Sequence, residues 1–249
     1  MNILGDYHTH TPYSHGKNTI LENAQVAKQK GLKQIAITDH GFDHSLYAVD
    51  RKNIEKMRKE CDEASKATKI DVFLGIEANL TDGNGNVDIT KEEYDKLDIL
   101  IVGWHNFVKT KSFKAKFSFF FMNYIFNIFG TPAWKRKKNT KAYIEAIKKY
   151  PIDIISHLNY GMKTNTLEVA KFARDHGTLI ELNGKRIKFT KKEIEEMVKE
   201  KVKFIIDSDA HKKENVGKND VAFNLIAKYN IPEELVVNLN KIPKFKKIN

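Results

Sequence analysis

The hydrophobic positions of this chain fall into short continuous runs that alternate with amphipathic stretches of helical length. The runs predict strands within residues 3–10, 34–40, 71–77, 98–105, 152–157, 178–183 and 203–211, and the stretches predict helices at 19–30, 51–66, 91–97, 140–150, 166–176, 191–200 and 220–229. Apolar strands that alternate with helices indicate a parallel sheet that is buried on both faces. Seven such units predict a single α/β domain over residues 1–249, folded as a closed or nearly closed TIM-like barrel, with an open doubly wound sheet as the alternative.

One segment, at about residues 106–139, interrupts this alternation and is predicted to be an irregular insertion. It contains a densely aromatic run, Phe117–Phe129, between clusters of basic residues. The run is shorter than the roughly 20 apolar residues that span a bilayer, so no transmembrane segment is predicted. Three interpretations stay open: a helix that packs on the barrel or is buried in an oligomer, a lid over the active site, and a helix attached to a membrane surface.

Composition is typical of a soluble globular protein. Apolar residues make up 41% of the 249 residues, which is enough for one sizeable core. Cys61 is the single cysteine, so an internal disulfide and a cysteine-based zinc site are excluded, and a reducing compartment is favoured. The first residues do not resemble a secretion signal, and a cytoplasmic protein is expected.

The net charge of +11 favours anionic partners such as phosphorylated metabolites, nucleic acid or a membrane surface. A solvated, lysine-rich exterior explains the charge equally well. Most of the positive charges are lysines on predicted helix faces rather than arginines interleaved with aromatic residues, which weakens the case for nucleic acid. A small phosphorylated substrate is therefore the first expectation, and nucleic acid is the second.

Potential metal ligands follow the predicted strands at nearly every strand end. Parallel α/β barrels gather the C-terminal ends of their strands on one face, where their active sites lie. The candidate ligands would therefore meet in one cleft. They are His8, His10, His15, Asp39, His40, Glu77, His105, His157, Asp209 and His211.

These residue types indicate a metal site. A single histidine of this kind is more often a buried, hydrogen-bonded side chain, but seven histidines with carboxylates at equivalent positions of successive units are not explained in that way. Imidazole and carboxylate ligands together suit Zn, Mn or Fe(II). Because the ligands are too many for one ion, the sequence predicts two or three metals.

In order and spacing, these residues resemble the PHP (polymerase and histidinol phosphatase) superfamily. The segments Ile37–Gly41, Gly75–Asn79 and Ile155–His157 are most similar to its stand-alone, YcdX-like bacterial phosphatases, and the resemblance covers almost the whole chain. The resemblance implies a distorted (β/α)7 barrel that holds three divalent metal ions, Zn, Mn or Fe. All the ligand positions that it implies are filled.

The resemblance also implies a role for each ligand. One metal would be bound by His8, His10, Glu77 and Asp209; Glu77 would bridge to a second metal held by His105 and His157; His15, His40 and His211 would bind the third. Glu77, Asp209 and His211 are the expected catalytic residues. Asp6 and Asp39 would orient histidines, and capping of a strand end is their alternative role.

A cluster of this kind predicts hydrolysis of a phosphate monoester by metal-bound hydroxide, without a serine or cysteine nucleophile. The expected substrate is histidinol phosphate or another small phosphorylated metabolite. Candidate phosphate contacts are Lys17, Arg51, Lys185 and Arg186, and His44 is a candidate general acid. The alternatives are a phosphodiesterase or nuclease that acts on oligonucleotides and a non-catalytic, metal-binding regulatory module.

Overall fold

The computed structural model describes residues 1–110 and 116–248, and within them seven strands form one sheet in the order of the sequence. Every strand pairs in parallel with the next one, so the sheet curls into a nearly closed barrel with helices between its strands. This confirms the distorted (β/α)7 barrel and rules out the doubly wound alternative, whose strand order would reverse. The strands are Gly5–Asp6 (β1), Gln34–Ile37 (β2), Asp71–Asn79 (β3), Ile99–Gly103 (β4), Ile154–Ile155 (β5), Leu179–Asn183 (β6) and Phe204–Asp207 (β7).

The helices follow the predicted stretches closely. They are Ile20–Gln29 (α1), Ile54–Thr68 (α2), Lys91–Asp95 (α3), Met122–Phe129 (α4), Ala133–Lys149 (α5), Thr166–Asp175 (α6), Lys191–Lys199 (α7) and Asp220–Tyr229 (α8), with a π-helical turn at Lys116–Phe121. Thr19, Thr90 and Thr190 begin α1, α3 and α7 with capping boxes, in which the threonine hydroxyl and the glutamate three residues later satisfy each other's backbone N–H groups.

Apolar strand residues alternate between two layers of the core. In β4, Ile99 and Ile101 belong to the layer inside the barrel, whereas Leu100 and Val102 pack against the helices. Phe245 of the C-terminal tail joins the inner layer, with its ring centroid 4.7 Å from that of Tyr7. The inner layer consists of Tyr7, Ala36, Ile99, Ile101, Ile154, Leu179, Ile205 and Phe245.

Asn238 joins the two ends of the sheet. Its side-chain amide donates to the carbonyls of Gly5 and Ile206, and its Oδ1 accepts a hydrogen bond from the backbone N–H of Ile206. Just beyond the strand ends, the N–H of His10 donates to the carbonyl of Ala210 at 2.8 Å. The side chain of Asn238 and backbone hydrogen bonds at the level of the candidate ligands thus help to close the seam between β1 and β7.

The segment predicted to be irregular is largely helical, which corrects the sequence analysis. The helix predicted from Thr140 begins at Ala133 instead, because Pro132 provides an extended N-cap and the following lysines and arginine favour helix. Phe120, before α4, is buried and stacks on Trp104 with ring centroids 6.0 Å apart. Residues 111–115 of the segment lie outside the described residues. No helix in the described ranges is long and apolar enough to cross a membrane.

Several strands end earlier than predicted. The sequence analysis extended the first strand to His10, the fifth to His157 and the seventh to His211, but β1, β5 and β7 end before these residues. For β5 and β7 the backbone explains the difference, because His157 and Asp209, just beyond these strands, have φ angles of 30° and 51°. These angles lie in the left-handed region, which no strand residue adopts and which bulky residues enter at a cost of about 1–3 kcal/mol. Such strain is often found at functional sites.

Candidate metal centre

Glu77 lies at the centre of the candidate ligands. It is on β3, fully buried, and its two carboxylate oxygens face different histidines. Oε1 lies 2.8 Å from Nε2 of His157 and 3.3 Å from Nε2 of His105, and accepts a hydrogen bond from Ser156. Glycine is required beside this contact, since a Cβ at Gly103 would lie 2.4 Å from the Ser156 hydroxyl.

The second oxygen of Glu77 faces three imidazoles. Oε2 lies 3.0 Å from Nδ1 of His40, 3.3 Å from Nε2 of His8 and 3.8 Å from Nε2 of His10, yet it makes no hydrogen bond. Buried polar atoms are almost always hydrogen-bonded. A buried carboxylate oxygen that lies among imidazole nitrogens without a hydrogen bond therefore fits a position where a cation is shared.

Asp209 and His211 complete the cluster from the far side of the seam. Oδ1 of Asp209 lies 3.4 Å from Nε2 of His10 and 4.0 Å from Nε2 of His8. The ring of His211 lies 4.2 Å from that of His10 and 4.1 Å from that of His15, measured between centroids. The first and last strands thus bring their ligands together.

Across residues 1–110 and 116–248, three overlapping groups have ligand atoms within 4.8 Å of one another. The groups are His8–His10–Asp209, His40–Glu77–His105 and His10–His15–His40–His211. They divide the residues differently from the sets that the family resemblance implied, because His10 and His40 each belong to two groups. His157 lies outside the three groups but contacts Glu77 directly.

Burial keeps several of these imidazoles neutral. It lowers the pKa of His40 to about 3 and that of His15 to about 4, and it holds the pKa of His10 well below its ordinary value. The neutral imidazole is the form that binds a metal, because its lone pair is then free.

The carboxylates are held in the ionised form. Burial opposes the ionisation of Glu77, but His105 and His8 outweigh it and hold its pKa well below the ordinary value. Asp209 behaves in the same way, with His8 and His10 as the main stabilising groups. Ionised carboxylates and neutral imidazoles together form a donor set that fits Zn, Mn or Fe(II).

Glu181 is a supporting residue that the sequence analysis missed. It is buried on β6, and its Oε1 lies 2.6 Å from Nδ1 of His8. Its Oε2 accepts hydrogen bonds from the backbone N–H of His157 and from the side chain of Asn183. Glu181 therefore fixes the ring of His8 so that Nε2 points to Glu77. The available signal was a carboxylate within an otherwise apolar strand.

Asn79 and Asp88 form a second supporting pair that was not predicted. Oδ1 of Asn79 lies 2.7 Å from Nδ1 of His105, and its side-chain amide donates to Asp88. Asp88 is buried and also accepts hydrogen bonds from the backbone N–H groups of Asp43 and Asn79. Such partners fix the tautomer and the orientation of a metal-binding histidine.

Asp6 and Asp39, the predicted orienting residues, bind backbone and hydroxyl groups instead. Asp6 accepts hydrogen bonds from the N–H and hydroxyl of Ser208 and from the N–H of Gly217. Asp39 accepts from the N–H and hydroxyl of Thr11, and lies 4.0 Å from Nδ1 of His10. The contacts favour the alternative role, in which the carboxylates cap the backbone around the site.

A cleft of about 200 Å³ opens onto the cluster, and two of the four predicted phosphate contacts line it. Nζ of Lys185 lies 3.1 Å from Oδ1 of Asp209 and 2.7 Å from Nδ1 of His211. The guanidinium of Arg186 lies 4.4 Å above the ring of Tyr160. The lining residues are His40, Glu77, His105, His157, Tyr160, Lys185, Arg186, Asp209 and His211.

The other two predicted phosphate contacts do not line the cleft. Arg51 pairs with Glu93 at 2.5 Å and lines a different cavity of about 560 Å³. The side chain of Lys17 is exposed, although its backbone N–H donates to the carbonyl of His211. The long loop after β2 places Arg51 away from the strand ends. The direction of this loop cannot be predicted from the position of Arg51 in the sequence.

His44, the candidate general acid, packs beside the cluster with its ring centroid 5.0 Å from that of His40. Its Nδ1 accepts hydrogen bonds from the backbone N–H groups of Leu46 and Tyr47. Burial lowers its pKa to about 4, so at neutral pH the ring is neutral, and the proton that it keeps on Nε2 is only weakly acidic. These contacts argue against the role of general acid.

The chain is similar to known proteins over most of its length. The family model described as PHP domain matches residues 6–211. A probable phosphatase of Caldanaerobacter subterraneus subsp. tengcongensis is 32% identical over 96% of this chain and 88% of its own length, and one of Thermoanaerobacter sp. is 31% identical over 99% and 96%. The crystal structure of a histidinol phosphate phosphatase from Lactococcus lactis, complexed with zinc, L-histidinol and phosphate, superposes with a TM-score of 0.59 at 13% identity, over 93% of this chain and 95% of that one.

Proposed function

Since this chain belongs to the PHP domain family and is a hydrolase of the phosphatase type, we propose that it hydrolyses the monoester of a small phosphorylated metabolite at a centre of three divalent metal ions. One observation carries the proposal. Buried imidazoles and carboxylates from both ends of the chain converge on a cleft that Lys185 and Arg186 also line. Metal ligands beside cationic side chains suit an anionic phosphoryl group.

The metal-binding residues are those that the sequence analysis named: His8, His10, His15, His40, Glu77, His105, His157, Asp209 and His211. The unpaired Oε2 of Glu77 and the neutral imidazoles of His10 and His40 beside it support this assignment. When bound, divalent ions at such sites lower the pKa of water and neutralise charge on a phosphoryl group. Zn, Mn and Fe(II) all suit the donor set, and the supply in the cell decides among them.

The chain's own residues would bind and orient the substrate. Arg186 is held by the ring of Tyr160 and offers paired N–H donors that match two phosphate oxygens. Lys185 supplies a second positive charge next to Asp209 and His211. Together they would hold the phosphoryl group against the ligand cluster.

The size of the cleft favours a small substrate. Its volume of about 200 Å³ lies below the roughly 300–1,000 Å³ of pockets that enclose drug-sized ligands. Histidinol phosphate is one candidate, because the structurally similar enzyme from Lactococcus lactis was crystallised with L-histidinol and phosphate. Other small phosphorylated metabolites fit the same chemistry. An oligonucleotide would need a longer cationic groove.

The test is hydrolysis of p-nitrophenyl phosphate and bis-p-nitrophenyl phosphate by metal-stripped protein that is reconstituted separately with Zn, Mn and Fe(II). We expect metal-dependent turnover of the monoester that is lost in His8→Ala. Preference for the diester would favour the phosphodiesterase or nuclease alternative. Bound metal without turnover of either compound would contradict hydrolysis of simple phosphate monoesters and leave a narrow specificity or a regulatory, metal-binding role.

A further inference from the structure

The helical segment after β4 exposes an apolar surface that the barrel does not use. Its inner face is anchored by Phe119 and Phe120, which are buried, and by Asn123, whose side chain donates to the carbonyl of Phe119. The outer face nevertheless carries large apolar side chains, and Phe129 is 82% exposed. The exposed side chains are Phe117, Phe121, Tyr124, Ile128, Phe129 and Trp134, and we call them the aromatic patch.

The segment that carries the aromatic patch has charged residues of one sign only. No aspartate or glutamate occurs between Ile99 and Ile144, whereas the same stretch contains nine lysines and arginines. On α5, directly beside Trp134, the exposed basic side chains are Arg136, Lys137, Lys138 and Lys141. Exposed apolar patches of this kind mark interaction surfaces, and the charge requires a partner that is anionic.

A cationic cavity opens next to the aromatic patch. Its volume is about 320 Å³, and Phe126 of α4 forms part of its wall. Arg136, Lys163 and Lys188 contribute positive charge, and Glu193 contributes one negative charge that is engaged by Thr190. Such a cavity has the size and charge to receive a phosphate headgroup.

We propose that the aromatic patch and its basic border dock onto the surface of an anionic phospholipid bilayer. Tyrosine and tryptophan prefer the interface between water and lipid, phenylalanine and isoleucine bury in the acyl boundary, and nearby lysines bind anionic headgroups. Docking is peripheral, because the segment lies on the surface of the barrel. A second copy of the chain is a poorer occupant, since a two-fold contact would place the basic borders against each other.

The experiment is cosedimentation of the full chain with vesicles. We expect binding to vesicles of equimolar phosphatidylglycerol and phosphatidylcholine, little binding to phosphatidylcholine alone, and weaker binding at high salt because the charges are screened. Ile128→Glu should weaken binding by roughly tenfold or more, and Lys137→Gln combined with Lys138→Gln should do the same.

Matched controls distinguish an effect that is specific to the aromatic patch from a general effect of changed charge on vesicle binding. Ile242→Glu makes the same change at another exposed isoleucine, and Lys28→Gln combined with Lys33→Gln removes two exposed lysines elsewhere. Both controls should bind like the wild type, as should His8→Ala, because docking is independent of the proposed hydrolysis.

Two results would overturn the proposal. The first is a failure of the wild type to sediment with phosphatidylglycerol vesicles, or sedimentation that neither patch variant weakens. The second is a combination of two observations. The wild type forms a concentration-dependent dimer, seen by light scattering, that Ile128→Glu dissociates, and it does not bind vesicles. The second result would assign the aromatic patch to a second copy of the chain.

Discussion

Oε1 of Glu181 lies 2.6 Å from Nδ1 of His8, and both side chains are fully buried. The contact leaves Nε2 as the nitrogen of His8 that faces Glu77 and Asp209. A carboxylate that accepts the second ring N–H of a metal-binding histidine raises its basicity and fixes its direction. We therefore place Glu181 among the residues on which metal binding depends.

Glu181→Gln should weaken metal binding by about 10–100-fold, because the amide keeps the size of the side chain but loses its charge. The measurement is competition between the protein and a chelator of known affinity. Glu195→Gln changes an exposed glutamate on α7 and should leave metal affinity as in the wild type. Equal affinity in Glu181→Gln and the wild type would show that the contact has no part in metal binding.

Asn79→Ala should destabilise the fold and the metal site together. The change removes the acceptor for Nδ1 of His105 and a donor to buried Asp88, and a buried group without its partner costs about 1–3 kcal/mol. Denaturant unfolding and chelator competition measure the two effects. Asn84→Ala, in the exposed turn after β3, is the matched control. Unchanged metal affinity in Asn79→Ala would contradict the orienting role.

Arg186→Met should raise KM for a monoester by about tenfold or more, because a charge-assisted hydrogen bond contributes roughly 1.5–3 kcal/mol. Steady-state kinetics of the metal-loaded protein provide the measurement. Arg51→Met is the control, since Arg51 lines a different cavity and pairs with Glu93. Equal KM values for the two variants would remove Arg186 from the proposed phosphate site.

The buried Lys135 should make the free energy of unfolding change with pH in the alkaline range. Its Nζ donates to the carbonyl of Ser118, and burial lowers its pKa to about 8, whereas the ordinary value is 10.5. Between these values the unfolded chain binds a proton that the folded chain lacks, so stability rises with pH. Relative to Lys135→Met, the wild type should gain about 2 kcal/mol in unfolding free energy from about pH 7.5 to 10.

Denaturant unfolding at several pH values measures this gain. Lys137→Met removes an exposed lysine two residues away on the same helix, and it should keep the pH dependence of unfolding that the wild type shows. If Lys135→Met and the wild type show the same dependence, Lys135 remains charged in the folded protein.

The sequence was sufficient to predict the barrel and most of the candidate ligands. His8, His40, Glu77 and Asp209 could be placed together because parallel strands direct their C-terminal ends to one face. The sequence did not predict where β5 ends. The strand ends before His157, whose backbone is left-handed, and the residue type does not predict that conformation.

The supporting contacts were less accessible to sequence reasoning. Glu181 contacts His8 from a strand that is distant along the chain, Asp88 acts on His105 only through Asn79, and neither residue belongs to a spacing pattern. Lys185 and Arg51 illustrate the same limit for loops: both follow strands, yet one lines the cleft and the other lines a separate cavity. Loop direction is determined by tertiary packing, so residue type and position alone do not predict it.

The closure of the barrel through Asn238 also constrains the order of folding during synthesis. His8 and His10 leave the ribosome about two hundred residues before Asp209 and His211, and Asn238, which binds both edges of the sheet, is made later still. Contacts so distant along the chain form slowly, because a long loop must close before they contribute. A nascent chain that still lacks β7 would present β1 as an exposed sheet edge, which is a surface that chaperones bind.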